Sequence, residues 1–586
     1  MYKLSCVKVS NNPNAVFVQL ILSPHLEDAD IDALKKRLDN IHKPIFFGSL
    51  GLLFAVTLPL VLFPEMGRIW VNIAQAFVTD NFGVLYLTMG MTSLGFMLYI
   101  IFSDIGQIKL GDVDTEPEFS LLSWGAMLFA AGIGGAVVFW GMVEWIYYLQ
   151  SPPFHLEPYS EEATAWAATY GMFHWGPIAW AIYLVPALPM AYFLHVRKHK
   201  VLRVSEAIRP VLGERLARSW LGNIIDVLFI FGMLGGGATS LGILVPLINE
   251  GLGGLFGFTT NVDSQIGVLV GTTALFAVSA WRGLKGGIEV LSDINMVLGA
   301  ALLLFVLVVG PTVFILETGL NSIGLMLSNL VRMGTWLEPF GAFEGFQQSG
   351  FPQSWTVFYW AWWLVFAPTV GLFIARISKG RRIKTMVAGS MFFGSLGCAL
   401  FFIILGNYGL YLQLSGALDV VQVMETQSAN AAFFAVLSQL PLSWLVTLVA
   451  VILLSVFTAT TFDSIAYILS SASEKNIEGE PARWHRLFWA FTLSFMPMTL
   501  LFLGGLQTLQ TASIVSGVPL LLISALLMVS MVRAAKYDLR FQPDYSEPEI
   551  NIEEFPENDP WTEEGTWELP EEGADESTSE APQPAK

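Results

Sequence analysis

The sequence predicts an all-α membrane protein with twelve transmembrane helices, and three observations lead to that prediction. Hydrophobic residues make up 54% of the 586 residues and charged residues only 13%, a composition that excludes a soluble globular protein of this length. The apolar residues gather into twelve runs that approach or exceed the roughly 20 residues a bilayer requires. Lys and Arg are concentrated in alternate loops, as expected for an even number of crossings. The runs lie near residues 44–64, 84–103, 119–147, 165–194, 219–247, 266–281, 288–317, 355–375, 385–412, 442–472, 486–506 and 514–534.

The distribution of charge predicts that both chain termini lie in the cytoplasm. With the N-terminus inside, the six inner loops hold 23 Lys and Arg residues, whereas the outer loops hold only Arg68 and Arg332, which is the expected bias. The net charge of −18 comes mostly from residues 541–586, which carry 15 acidic residues and one Lys. This acidic, Pro-rich tail is predicted to be disordered and to bind no nucleic acid.

Two of the runs contain residues that interrupt helices. The third reads MLFAAGIGGAVVFWG, with Gly132, Gly134 and Gly135, and the eighth reads FAPTVGLF, with Pro368 and Gly371. Interrupted helices at corresponding positions of two repeats point to the midplane site of a transporter, and these runs are five apart. The alternative is that the glycines only allow close helix packing. The paired breaks favour two five-helix repeats and transport.

The predicted regions follow from these runs and breaks. A polar, partly amphipathic stretch at 320–336 separates the two repeats and is predicted to lie along the membrane surface. The full division is a cytoplasmic N-terminal segment at 1–43, two peripheral transmembrane helices at 44–118, a first five-helix repeat at 119–318, an extracellular interfacial helix and loop at 319–354, a second five-helix repeat at 355–535 and an acidic disordered cytoplasmic tail at 536–586.

Aromatic residues are concentrated at the start of the eighth run, WTVFYWAWW, and in the fourth, FHWGPIAWAIY. Helical spacing puts several of these rings on one face of each helix. A buried aromatic face can hold a quaternary ammonium ion, which has no N–H group to hydrogen-bond. The alternative is an aromatic belt at the membrane surface. The rings are Trp355, Tyr359, Trp362, Trp363 and Phe366 in the eighth run, and Trp175, Trp180 and Tyr183 in the fourth.

The tenth run, with SVFTATTFDS, carries hydroxyl groups and one acid. Thr460 and Thr461, with backbone carbonyls of the interrupted third run, would give the all-oxygen shell that suits a hard cation such as sodium. The alternative is that these hydroxyls bond their own helix backbone. Asp463 is costly in a membrane and needs a partner. The sequence holds no P-loop, zincin or nucleophile-elbow motif, and Cys6 and Cys398 lack metal-ligand spacing, so we do not expect an enzyme.

Four segments together resemble one known family. MLFAAGIGGAVVFWG, FHWGPIAWAIY, GFPQSWTVFYWAWW and ARISKGRR are similar to hallmark segments of the betaine/choline/carnitine transporters, over roughly residues 40–535. The resemblance implies a LeuT-like fold of two inverted five-helix repeats, a homotrimer and a place in the bacterial cytoplasmic (inner) membrane. The third-run motif ends in Ala136 rather than in the acid of choline carriers, which weakens a choline interpretation.

The resemblance also implies roles for particular residues. Tyr147 matches a substrate-contacting Tyr of carnitine/γ-butyrobetaine exchangers. Asn295 occupies a position where sodium-independent exchangers carry Arg, and it is the sodium-coupled symporters' residue there. A second sodium site is not expected, because two family threonines align with Met233 and Gly237. The implied substrate-binding residues are Trp175, Trp180, Tyr183, Trp360, Trp362, Trp363, Phe366, Tyr147 and Ala131, and the implied sodium site comprises Ala130, Ile133, Phe457, Thr460 and Thr461.

These observations lead to one main hypothesis and two alternatives. The main hypothesis is a sodium symporter that imports a zwitterionic quaternary ammonium or sulfonium compound, such as glycine betaine or carnitine. The first alternative is a sodium-independent carnitine/γ-butyrobetaine-type antiporter, and the second is a substrate-gated sensor or channel. No cofactor is expected beyond sodium as coupling ion.

Overall fold

The structure is a computed structural model that describes residues 40–112, 114–132, 134–198, 203–282, 289–341, 343–475, 481–503 and 506–541. These residues are helical or irregular, and their only extended pairings are isolated bridges between Ile41 and Glu474 and between Lys109 and Arg382. The all-α class predicted from the sequence is confirmed. Residues 1–39 and 542–586 lie outside the described residues, and so do the predictions for most of the N-terminal segment and the acidic tail.

The principal helices follow the predicted runs with extensions at several ends. They are α1 (Lys43–Leu62), α2 (Pro64–Phe102), α3 (Leu121–Gly132), α4 (Gly135–Gln150), α5 (Glu161–His174), α6 (Pro177–Ala191), α7 (Trp220–Phe256), α8 (Val262–Arg282), α9 (Glu289–Val309), α10 (Thr312–Thr335), α11 (Val357–Ile377), α12 (Ile383–Phe401), α13 (Ser443–Ala472), α14 (Arg483–Leu493), α15 (Phe495–Leu503) and α16 (Leu506–Leu539).

Shorter elements connect or extend these helices. Single π-helical turns follow α6, precede α11 and follow α12, at Tyr192–Val196, Pro352–Thr356 and Phe402–Gly406. The remaining short helices are Asp104–Gln107, Pro153–His155, Val204–Ala207, Arg209–Leu212, Glu214–Ala217, Asn407–Leu414, Val420–Thr426 and Ala429–Ser438.

Within the described residues, ten helical stretches are long and apolar enough to cross a membrane, and one of them, Glu161–Val196, runs through both α5 and α6. One of them is α10, which the sequence placed along the membrane surface, and the others coincide with predicted spans. The three other predicted spans, which are the third, the seventh and the eleventh, are not among these ten stretches. The third is divided into α3 and α4, the seventh is the described helix α9, and the eleventh is divided into α14 and α15. An all-helical membrane protein is thus shown, while the count of twelve crossings stays a prediction.

The two predicted breaks have different outcomes. The third run is interrupted at Gly134, whose φ of −88° and ψ of 165° are extended, and α4 starts at the next residue. The predicted break at Pro368 is wrong, because α11 continues through it from Val357 to Ile377. Its neighbour Gly371 serves close packing, since a Cβ there would lie 3.0 Å from the backbone nitrogen of Ala187 in α6. The close-packing alternative therefore holds for Gly371.

The link between α5 and α6 places the aromatic residues of the fourth run. Ser160 caps α5 by accepting a hydrogen bond from the Ala163 backbone N–H at 3.1 Å, as N-cap serines do. The chain turns at Gly176, where a Cβ would come within 2.4 Å of the Met172 carbonyl oxygen. Pro177 then starts α6, a position at which its missing N–H costs nothing. Trp175 therefore lies in a tight corner between two buried helices.

Candidate functional site

A cavity of about 650 Å³ lies where the start of α4 meets α6, α11 and α13. Six of its lining side chains are aromatic residues that the sequence placed in a cation cage. α6 and α11 run side by side and are buried along most of their length, so five of these rings are held by packed helices, while Trp175 lies in the corner before α6. The six are Trp175, Trp180, Tyr183, Trp362, Trp363 and Phe366.

The rings contact one another in a continuous wall. Trp363 lies at the centre, with its ring centroid 4.6 Å from that of Trp175, 5.2 Å from Trp362 and 5.6 Å from Tyr183. Trp362 and Trp363 are stacked, whereas Trp175 meets Trp363 edge to face. Such a wall offers π faces to a cation, an interaction that strengthens as water is excluded. We call these six residues the cage.

The indole N–H groups of two cage tryptophans point away from the ring wall to protein acceptors. Trp363 Nε1 donates to the backbone oxygen of His174 at 2.8 Å, and Trp175 Nε1 donates to Glu144 Oε2 at 3.2 Å. Their donors are therefore already used, and their rings remain as contact surface. At these two rings, the arrangement favours a ligand that presents methyl groups and positive charge rather than hydrogen-bonding atoms.

Trp360 and Tyr147 do not line this cavity, and their predicted contact with a substrate stays a prediction. Trp360 is fully buried, with its ring 5.5 Å from Phe173, because the cavity-facing stripe of α11 runs along the neighbouring face. Tyr147 lies twelve residues beyond Gly135, about 18 Å along the helix axis at 1.5 Å per residue. Its ring packs on Trp355 at 5.1 Å, far from the start of α4.

Trp355 is also outside the cage. It belongs to a second aromatic group at the N-terminal end of α11, in which Tyr148 is central, with ring centroids 5.0 Å from Trp355 and 5.1 Å from Phe351. Every member of this group is at most 7% exposed, so the group forms a buried aromatic layer at that end of α11. We call it the aromatic plug, and its members are Trp140, Tyr148, Phe351, Trp355 and Tyr359.

Several predicted ion-site residues line the same cavity as the cage. Thr460, Thr461 and Phe457 of α13 do so, together with Asn295 of α9. Asn295 Nδ2 donates to Thr460 Oγ1 at 3.4 Å, and within the described residues the buried Asn295 Oδ1 has no hydrogen-bond partner. Hydroxyl oxygens that can coordinate a metal ion, together with a buried amide oxygen that accepts no hydrogen bond, suit a hard cation. The side chains of Ala130 and Ala131, and Ile133 as a whole, lie outside the described residues.

Two hydroxyls of α13 also bond the backbone of their own helix, which was the alternative to cation binding. Thr458 Oγ1 donates to Leu454 O at 2.7 Å, and Thr460 Oγ1 donates to Phe457 O at 3.0 Å. A hydroxyl that donates keeps its lone pairs, so Thr460 can bond its own helix and still coordinate a cation. Thr458 faces away from the cavity and is a structural residue.

Asp463 has a partner that the sequence did not reveal. Its Oδ1 lies 2.9 Å from Arg486 Nη2 of α14, and its Oδ2 accepts from Ser279 Oγ of α8 at 2.6 Å. The Asp463 and Arg486 side chains are fully buried. The only sequence signal for this partner was that Arg486 stands at the start of an apolar run. Nothing in the sequence indicates that it pairs with Asp463, which lies 23 positions earlier across a loop. This ion pair joins three helices next to the hydroxyl-bearing wall.

One end of the cavity reaches the C-terminal end of α11. Arg376 and Tyr467 line it there. The Arg376 guanidinium lies over the Tyr467 ring at 4.6 Å and donates to its hydroxyl at 2.5 Å. The opposite end meets the buried aromatic plug. The cavity therefore extends from the cage towards the ARISKGRR segment.

Sequence reasoning missed the acid behind the cage. Glu144 of α4 is fully buried and accepts hydrogen bonds from Trp175 and Tyr359. A single acid within the third apolar run was the available signal, since an ionisable residue at membrane depth marks function by default. Its neighbour His174, also fully buried, shares this polar cluster.

Comparison with known proteins identifies the family. The model of the betaine/carnitine/choline family transporters matches residues 44–540. The glycine betaine transporter OpuD of Bacillus subtilis (strain 168) is 38% identical over 498 residues, which is 85% of this chain and 95% of OpuD. The uncharacterized transporter YeaV of Escherichia coli (strain K12) is 34% identical over 454 residues, 77% of this chain and 92% of YeaV.

A solved structure of a Na⁺-coupled sialic acid symporter, in a substrate-bound outward-open state, is also similar. It covers 77% of this chain and 84% of its own, with 12% identity and a TM-score of 0.37. The family match spans nearly all of the described residues, and the two relatives are covered over more than nine-tenths of their own length. The resemblance seen in the sequence motifs is confirmed, and the protein is a transporter rather than an enzyme. The chain belongs to the betaine/carnitine/choline family of transporters.

Proposed function

We propose that this protein imports a zwitterionic quaternary ammonium or sulfonium compound, with glycine betaine as the first candidate, by symport with sodium. The observation that carries the proposal is that one cavity has a wall of six aromatic side chains and a wall of oxygen donors. The aromatic wall suits the methylated cation, and the oxygen wall suits sodium. The similarity to a glycine betaine transporter supports the choice of substrate.

The carboxylate of a zwitterion also has a place in this cavity. Gly134, Gly135 and Ala136 line it at the start of α4, and α4 runs for 16 residues from that point. The first backbone N–H groups of a helix have no partner within the helix, and the helix dipole favours negative charge there. A substrate with a cation and a carboxylate a few atoms apart would therefore contact both the cage and the start of α4.

Sodium would be held by the residues that line the oxygen wall. Thr460 and Thr461 would supply hydroxyl oxygens, and Asn295 would supply its amide oxygen. The ion would contribute positive charge that helps to hold a substrate carboxylate nearby. We propose one such site only, because Met233 and Gly237 carry no side-chain oxygen to build a second.

Uptake into proteoliposomes tests the coupling. We expect labelled glycine betaine to accumulate only with an inward sodium gradient, and labelled carnitine to serve as the comparison substrate. Equal uptake in potassium would contradict sodium symport. Uptake that needs internal substrate and ignores both ions would instead support the carnitine/γ-butyrobetaine-type antiporter, and currents far above carrier turnover would support a channel.

Replacing both Thr460 and Thr461 with alanine is expected to raise the sodium concentration for half-maximal uptake at least about tenfold, because each hydroxyl is a direct ligand and tenfold corresponds to about 1.4 kcal/mol. The measurement is betaine uptake as a function of sodium. Thr458→Ala is the matched control, since Thr458 is on the same helix but does not line the cavity. Unchanged sodium dependence in the double variant would refute the ion site.

The assembly and orientation are proposals as well. We propose a homotrimer in the cytoplasmic membrane, with both termini in the cytoplasm, as the family resemblance and the positive charges of the inner loops imply. Light scattering of the purified protein in detergent would give the oligomeric state. Labelling of single cysteines introduced near Arg68 and Lys379, from outside intact cells, is expected to modify only the first.

A further inference from the structure

The cage is backed by a buried polar unit. Glu144 of α4 is fully buried and does not line the cavity. Its Oε1 accepts a hydrogen bond from the Tyr148 hydroxyl. Its Oε2 accepts two more, from Tyr359 Oη at 2.6 Å and from Trp175 Nε1 at 3.2 Å. The acid thus connects a residue of the cage, Trp175, with two residues of the aromatic plug.

His174 completes this unit. Its Nδ1 lies 2.9 Å from Tyr148 Oη and 3.6 Å from Glu144 Oε1, and its Nε2 lies 3.1 Å from Thr356 Oγ1. Its backbone oxygen accepts from Trp363 Nε1. Both indole N–H groups described above, from Trp175 and Trp363, therefore end on neighbouring residues of one cluster. That cluster joins α4, the corner after α5 and the start of α11.

We propose that Glu144 is a positioning residue for the cage, acting through Trp175 and Tyr359 as a hydrogen-bond acceptor. A tryptophan in a cage must present its face, and the indole ring has a single N–H with which its rotation can be fixed. Trp175 packs edge to face on Trp363 at 4.6 Å, so a rotated Trp175 would disturb the central ring of the wall. The inference deepens the proposed function and rests on it where the ligand is concerned.

The geometry predicts which substitutions Glu144 tolerates. A glutamine can place its amide oxygen at the Oε2 position and keep the bonds from Trp175 and Tyr359. Its NH₂ group then donates to the Tyr148 oxygen, while the Tyr148 hydroxyl donates to His174 Nδ1, which it already approaches at 2.9 Å. The Trp175, Tyr359 and Tyr148 donors therefore all remain paired although the carboxylate is gone. A leucine of similar size offers no acceptor, so the Trp175 N–H and the Tyr359 hydroxyl are left unpaired in a buried site, which is costly.

The test is glycine betaine binding to the purified full-length protein in detergent, followed by tryptophan fluorescence. We expect Glu144→Leu to weaken binding at least about tenfold, since two buried donors lose their acceptor, and Glu144→Gln to bind within about threefold of the wild type. Asp226→Asn is a control, because Asp226 is a buried acid that bonds to Ser205 outside the cavity. Wild-type affinity in Glu144→Leu would overturn the proposal, and so would an equal loss in Glu144→Gln, which would show that the charge is needed.

A double-mutant cycle shows whether Glu144 acts through Trp175. Trp175→Phe keeps an aromatic ring but lacks the N–H. Glu144→Leu should therefore weaken betaine binding clearly less in the Trp175→Phe variant than it does in the wild type. The matched control is Tyr183→Phe, a cage residue without a bond to Glu144, for which the two effects should multiply. If the losses of affinity multiply in the cycle with Trp175→Phe as they do in the cycle with Tyr183→Phe, the proposal is contradicted. If Glu144→Leu does not assemble, Trp175→Phe removes the same bond from the other side and is expected to weaken binding about fivefold or more.

Failure of the inference and failure of the proposed function are distinguishable. If the wild type does not quench with betaine, the proposed function is wrong. If the wild type binds betaine and both Glu144→Leu and Trp175→Phe bind it equally well, only the inference is wrong. A readout without ligand is the alkylation rate of Cys398, a buried thiol on the cavity wall, in a Cys6→Ser background. We expect Glu144→Leu to raise that rate and Glu144→Gln to leave it unchanged.

Discussion

Replacing Trp363 with leucine is expected to abolish onium binding while the protein still assembles. Trp363 is the central ring of the cage and contacts Trp175, Trp362 and Tyr183. A desolvated cation–π contact contributes roughly 2 kcal/mol or more, which is a loss of about thirtyfold in affinity. The loss of stacking support for Trp362 adds to this. The measurement is glycine betaine binding by fluorescence or calorimetry, with size-exclusion chromatography to monitor assembly.

The matched control is Trp360→Leu, the same exchange three residues earlier on α11. Trp360 is fully buried but does not line the cavity. Its truncation leaves a void, which typically costs about 3–5 kcal/mol of stability for a buried Trp, so we expect a lower melting temperature but an unchanged affinity. If Trp363→Leu binds betaine normally, the cage assignment fails. If Trp360→Leu loses binding without losing stability, Trp360 belongs to the binding site although it does not line the cavity.

Removing either partner of the Asp463–Arg486 ion pair is expected to prevent the protein from accumulating. Both side chains are fully buried and lie 2.9 Å apart. An unpaired buried charge costs about 3–5 kcal/mol, a large part of the stability of most domains. We therefore expect Arg486→Leu and Asp463→Leu each to give little monodisperse protein in fluorescence-detected size-exclusion chromatography. The double variant should recover much of it, because two apolar groups leave no charge unpaired.

An exposed ion pair provides the control. Arg68 and Glu65 are 3.6 Å apart, but their side chains are 53% and 87% exposed. Surface pairs contribute little, so Arg68→Gln should accumulate like the wild type. A double variant no better than the single ones would show that Asp463 and Arg486 act separately, against the paired role that their geometry indicates.

Patterns that repeat along one helix were predictable from the sequence. The length of the apolar runs gave the all-helical membrane class, and spacing in the eighth run placed Trp362, Trp363 and Phe366 on one face. The glycines of the third run gave a true interruption at Gly134. Pro368 did not give one, because a proline inside a membrane helix is tolerated when its neighbours pack around it. Helical period also put Trp355 and Tyr359 on that face, although neither lines the cavity, because spacing does not show where along a helix a cavity ends.

Contacts between distant segments were not predictable. Arg486 meets Asp463 only because α14 folds back on α13, and Glu144 meets Tyr359 across 215 positions. Hydrogen-bond partners of this kind leave no periodic pattern in the sequence. An acid in an apolar run therefore indicates that a partner exists but does not identify it. The position of Tyr147 was not predictable either, since its role came from a resemblance while its distance from Gly135 along α4 decides where its ring lies.

The close contact at Gly371 has a mechanical consequence. With the Ala187 backbone packed against α11 at Gly371, the two helices that carry five of the six cage rings have little room to slide past each other at that crossing. We therefore expect them to move as one rigid unit during the transport cycle. The hinge must then lie between this unit and the helices that bear Gly135 and Thr460. In the proposed symport, opening would draw the aromatic half and the oxygen half apart, so that release of the organic solute and release of sodium would be two results of one movement.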